Sequence, residues 1–97
     1  MMFARRINDR SFVKSLVEDN GYAVIDTRSP VEYRDGTLFD APNAPLRNFL
    51  GEFMKAAKEH KKVILLGSEA DDDAFKACIR YAEQSAPPNT RISYHYY

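Results

Sequence analysis

Residues 63–79, Val63-Ile64-Leu65-Leu66-Gly67-Ser68-Glu69-Ala70-Asp71-Asp72-Asp73-Ala74-Phe75-Lys76-Ala77-Cys78-Ile79, constrain the fold more than any other stretch. Val63 to Leu66 is an unbroken apolar run, the pattern of a central strand covered on both faces. Lys61 and Lys62 mark its solvated start, and Gly67 ends it. Asp71, Asp72 and Asp73 then supply cap-type side chains and negative charge, which suit the start of a helix. Phe75, Cys78, Ile79 and Ala82 follow at i, i+3, i+4 and i+7 and define one apolar helix face. In open α/β sheets, ligands bind in the crevice beyond the carboxyl end of such a strand. The segment from Gly67 to Asp73 is therefore where function is expected to be decided.

Charge narrows the classes of partner. Fourteen basic and fourteen acidic side chains cancel, so no general basic field favours nucleic acid or an anionic membrane. A hydrophobic fraction of 44% beside 29% charged residues is a globular composition. The 97 residues suit a single domain spanning 1–97. Cys78 is the one cysteine; no intrachain disulfide can form, and a reducing compartment is expected. With His60 and His95 far apart, no zinc spacing exists, and neither a metal nor a cofactor is expected. No apolar stretch approaches the roughly 20 residues that a membrane helix needs. The start, Met1-Met2-Phe3-Ala4-Arg5-Arg6, is charged but has no apolar signal region after it. The expected protein is soluble and cytoplasmic.

The remaining elements follow in chain order. Phe3 to Ile7 reads as a short edge strand. Asn8 or Asp9 can cap a helix running to about Asp19, with Phe12, Val13, Leu16 and Val17 inward. Asn20-Gly21 ends it, since Gly adopts the left-handed conformation without steric cost. Tyr22 to Asp26 is the next strand. Ser29-Pro30-Val31-Glu32 is a capping box with Pro at the first helical position. A single turn follows through Tyr33, and Asp35-Gly36 redirects the chain. Leu38 to Pro45 is irregular, with a short extended piece near Ala41 to Ala44. Leu46, Phe49, Leu50, Phe53, Met54 and Ala57 predict a helix over 46–59. Pro87-Pro88 forces the chain out of the helix after the acidic loop. Arg91 to Tyr97 reads as the last strand, with Ile92, Tyr94 and Tyr96 on one side and Ser93, His95 and Tyr97 on the other. Strands alternating with helices imply a mainly parallel sheet with helices on both faces.

Two segments carry a family resemblance. Tyr22-Ala23-Val24-Ile25-Asp26-Thr27-Arg28-Ser29-Pro30-Val31-Glu32-Tyr33 resembles a signature in which a strand ends in Asp-x-Arg and a short helix with Glu-Tyr or Glu-Phe follows. Gly36-Thr37-Leu38-Phe39-Asp40-Ala41-Pro42-Asn43-Ala44-Pro45-Leu46 resembles Gly-His-Ile-Pro-Gly-Ala-x-Asn-Ile-Pro-Leu, with Thr37 for the His and Phe39-Asp40 for the Pro-Gly. Both signatures belong to rhodanese-like domains, which include sulfurtransferases and related dual-specificity phosphatases. The resemblance runs from about Asn8 to Glu83. It implies a three-layer α/β/α fold around a small, mainly parallel five-stranded sheet. It also implies a catalytic Cys after the fourth strand, at the position held here by Gly67.

Gly67 cannot do that chemistry. Persulfide transfer needs a thiolate that carries the transferred sulfur. Family loops of this kind hold anions with backbone N–H groups, a helix N-terminus and often Arg or Lys. This loop instead carries Glu69, Asp71, Asp72 and Asp73 and no basic residue. Two unit charges about 4 Å apart repel by about 4 kcal/mol at an effective dielectric near 20, a penalty that solvent reduces. The loop Gly67, Ser68, Glu69, Ala70, Asp71, Asp72 and Asp73 is thus expected to be vestigial and without catalytic residues.

Each candidate also has a plain structural use. Cys78 lies on the apolar helix face, where it acts as a small hydrophobe. Ser68 lacks the Gly-x-Ser-x-Gly context and a His to activate it. The acidic cluster suits helix capping, although oxygen ligands also hold divalent cations and attract basic partners. Asp26 and Arg28 suit a loop-fixing ion pair beside the crevice. Tyr94, Tyr96 and Tyr97 suit an interface or half-burial in the last strand, whose edge could also pair with another chain. The resemblance implies a further turn and helix after that strand. Their lack here leads to an expectation of uncovered apolar surface and homo-oligomer formation. The leading expectation is an inactive rhodanese-like domain that binds a protein partner or acts as a scaffold. The alternatives are a sulfurtransferase-related or hydrolytic enzyme reusing the crevice, and a homo-oligomeric assembly module using the C-terminal strand.

Overall fold

The computed structural model describes residues 3–69 and 72–97. Four parallel strands form one sheet in the order β1-β4-β3-β2, with β1 at Arg5–Arg6, β2 at Ala23–Asp26, β3 at Lys62–Gly67 and β4 at Arg91–Tyr96. Val63, Ile64, Leu65 and Leu66 in β3 are fully buried. Burial of each such side chain is worth roughly 1.5–3 kcal/mol, so this run anchors the sheet as its unbroken apolarity predicts.

Helices pack on both faces. Helix α1 (Arg10–Asp19) covers one face, where Val13, Leu16 and Val17 meet Val24, Ile64 and Leu66. Helices α3 (Leu46–His60) and α4 (Asp73–Ser85) cover the other. There Phe49, Phe53, Ala57, Phe75, Cys78 and Ala82 meet Ile25, Val63, Leu65 and Ile92. The short helix α2 (Pro30–Arg34) follows β2. The alternation expected in β4 is present: Ile92, Tyr94 and Tyr96 pack toward the α3–α4 face.

The caps explain the boundaries. Asp9 accepts from the Ser11 N–H at 2.9 Å and starts α1. Gly21, at φ 71°, turns the chain after α1. Ser29 accepts from the Glu32 N–H at 3.2 Å at the start of α2. Among the acidic residues before α4, Asp72 is the cap, accepting from the Phe75 N–H at 3.1 Å. Lys61 closes α3 in the left-handed conformation at φ 61°, a role more often taken by Gly.

Two expectations need correction. Among the described residues the sheet has four strands, not five. The extended piece near Ala41 to Ala44 is a single bridge between Asn43 and Asp26. The Asp26 N–H donates to the Pro42 carbonyl, and the Ala44 N–H donates to the Asp26 carbonyl, both at 2.8 Å. Phe39 and Asp40, at φ 56° and 54°, turn the chain immediately before this bridge, and Pro42 and Pro45 have no N–H to extend a ladder. Phe12 is not inward: it is 52% exposed, its ring lining a cavity beside α1 instead of packing in the core.

Candidate functional site

The parallel strands deliver Asp26, Gly67 and the end of β4 to one rim of the sheet. Gly67 is the last residue of β3. Its neighbourhood is filled. A Cβ built on Gly67 would collide with the Phe75 ring from α4. Phe75 is 2% exposed and is held edge-to-face by Tyr94 and Tyr96, with ring centroids 6.0 and 5.6 Å away. The bare glycine at the strand end thus gives an inward helix aromatic its place. Tyr94 and Tyr96 are partly buried against the same core, and Arg6 lies over the Tyr96 ring at 4.5 Å.

On the β2 side, Asp26 and Arg28 form a buried ion pair, 0% and 6% exposed, with Nη2 to Oδ2 at 2.9 Å. Arg28 Nε donates to Oδ1 and Oδ2 at 3.1 and 3.2 Å, and the Arg28 N–H donates to Oδ1 at 2.9 Å. Thr37 donates its hydroxyl to Oδ2 at 2.7 Å and completes the carboxylate's shell. Asn43 Nδ2 donates to the backbone carbonyls of Asp26 and Arg28 at 3.0 and 2.9 Å. Arg28 also donates to the Gly36 carbonyl. The Tyr97 ring covers the guanidinium at 3.5 Å. Burial alone would lower the Arg28 pKa, but hydrogen bonding and charge pairing with Asp26, aided by Tyr97 and Glu32, raise it. This assembly fixes the loop and holds the guanidinium through Nε, Nη2 and one face.

Between these two regions lies a contact the sequence did not announce. Ser68 donates its hydroxyl to Glu32 Oε2 at 2.7 Å, and Ser29 donates to Oε1 at 3.1 Å. The Ser68 hydrogen bond is the main influence holding the Glu32 carboxyl below its ordinary value; burial opposes it, while Ser29 and Arg28 add to it. A capping box at 29–32 was legible in sequence, but its carboxylate also clamps the loop after β3.

Ala70 and Asp71 of the predicted loop lie outside the described residues. Glu69 and Asp73 are exposed, and Asp72 is engaged as the α4 cap. Among the described residues, no three His, Cys, Asp or Glu side chains converge to hold a metal ion. Cys78 is fully buried, and burial, with the charge of Asp72, pushes its thiol up to about 12. A thiol at that value is almost wholly protonated at neutral pH and is a poor nucleophile. No helix among the described residues is long and apolar enough to cross a membrane. Comparison with protein-family models, with curated proteins and with solved structures gives no match.

Proposed function

We propose that this chain is a rhodanese-like domain that has lost sulfur transfer and works by binding, as a recognition or scaffold module for a protein partner. The observation that carries this reading is the Phe75 ring beside Gly67. The position that the resemblance assigns to a nucleophile has neither a thiol nor room for a side chain. The exposed carboxylates of Glu69 and Asp73 at the same rim favour a basic partner surface. The test is thiosulfate-to-cyanide sulfur transfer by the purified protein, followed as thiocyanate. The expected result is the uncatalysed rate. Turnover that Ser68→Ala or Cys78→Ala abolishes while the fold is kept would overturn the reading.

The 2.7 Å Ser68–Glu32 hydrogen bond favours a second reading, a hydrolase with Ser68 as nucleophile and Glu32 as base. The lowered pKa of Glu32 works against it, since a weaker base takes up a hydroxyl proton less readily. This reading requires ester hydrolysis that Glu32→Gln removes; equal background rates for both proteins would end it. An assembly role for the C-terminal strand has less support, because Tyr94 and Tyr96 pack on Phe75 and Tyr97 packs on Arg28.

A further inference from the structure

A cavity of about 470 Å³ lies at the opposite end of the sheet, between α1 and the N-terminal part of β4. That volume falls within the roughly 300–1,000 Å³ of ordinary small-molecule sites. Its apolar wall comes from Phe3, Ile7, Phe12 and Leu16. Phe3 and Phe12 are 76% and 52% exposed, so a large aromatic area faces the opening rather than the core.

Its polar groups converge. Arg5 of β1 and Ser93 of β4 are register partners, which places their side chains on the same sheet face. Arg91 lies two residues before Ser93 on the same strand and therefore on that face. All three line the cavity. Ser93 is only 6% exposed and adds a hydroxyl-bearing side chain to the lining. The buried Asp26–Arg28 pair is the only ion pair among the described residues, so neither Arg5 nor Arg91 is neutralised by a neighbouring carboxylate. Two guanidiniums without a carboxylate partner, beside the Ser93 side chain and set against an aromatic wall, suit an anion with an apolar body.

We propose that this cavity binds a small amphiphilic anion, an apolar body ending in a carboxylate. The Arg5 and Arg91 guanidiniums hold the carboxylate, a geometry that Arg forks match well. Ser93 donates to it, and the tail lies against Phe3, Phe12 and Leu16. Two positive groups and no acidic residue in the lining exclude a cationic head group. Enclosure by α1 on one side favours a free molecule over a bilayer surface.

Sodium decanoate is the probe, with decanol as its uncharged counterpart, titrated into the full chain and followed by amide chemical shifts. Saturable binding of decanoate is expected, with shifts centred on Phe12, Leu16 and Ser93. Arg5→Gln combined with Arg91→Gln should weaken decanoate about tenfold or more, the scale of a lost charge-assisted hydrogen bond, and leave decanol unchanged. Both arginines are exposed, so the fold should survive, and Ser93→Ala gives an independent loss without a charge change. Equal affinity for decanol and decanoate, non-saturating binding, shifts centred elsewhere, or binding only to anionic vesicles would overturn the proposal. None of these results depends on the outcome at Gly67.

Discussion

Gly67→Ala tests the packing at the strand end. Elsewhere in a strand, replacing Gly by Ala gains about 0.5–1 kcal/mol through chain entropy. Here the new methyl meets the Phe75 ring, and that ring is buried with Tyr94 and Tyr96 against it. Forcing extra volume into a packed core costs about 1–3 kcal/mol. The net expectation is a loss of about 1–2 kcal/mol, or roughly 4–8 °C in Tm per kcal/mol for a domain of this size. Urea denaturation of Gly67→Ala, Phe75→Ala and the double variant isolates the contact, because Ala at 75 removes every ring atom that the new methyl would meet. Phe75→Ala should destabilise by itself, but Gly67→Ala added to it should be neutral or stabilising, a coupling of about 1–3 kcal/mol. A Gly67→Ala protein as stable as the parent, with additive effects in the double variant, would refute the reasoning.

Three further perturbations address the rest of the structure. Asp26→Asn leaves the Arg28 guanidinium buried without its counter-charge and should cost about 3–5 kcal/mol in chemical denaturation. Glu32 has a folded pKa below its ordinary value, so its stabilising contribution is complete above the unfolded value, about 4.3, and is lost as pH falls through the folded value. The stability gap between the parent and Glu32→Gln should therefore be constant near neutrality and close on acidification; a gap that widens in acid would reverse the sign. Gly51 is exposed in α3 with open space around a built Cβ, so Gly51→Ala should raise stability by about 0.5–1 kcal/mol in the same assay.

Much of the architecture was legible because local pattern and tertiary packing agree. Val63 to Leu66 reads as a two-face buried strand and is one. The spacing of Phe75, Cys78 and Ala82 names the face of α4 that packs inward. Phe12 sits on the apolar stripe of α1, but the ring lines a cavity and stays half exposed rather than entering the core. The fifth strand failed on local backbone chemistry, since left-handed Phe39 and Asp40 leave room for one bridge only.

Site contacts were harder to foresee because they join distant positions. Ser68 and Glu32 are 36 residues apart, and neither motif hints at the other. The Asp26–Arg28 pair was readable because both ends lie in one short motif. The filling of Gly67 had a faint signal, a glycine at a strand end followed by an inward aromatic on the next helix. The sequence shows both residues but not that the ring folds back over the glycine.

The central claim is that the strand-end position has no working sulfur nucleophile and that the thiol at Cys78 cannot replace one. The most direct measurement is intact mass after incubation of the native protein with thiosulfate, with the protein unfolded only for detection. The account predicts an unchanged mass, because Cys78 is fully buried and its thiol is held protonated. A mass gain of one sulfur atom, located on Cys78 and discharged by cyanide, would contradict it.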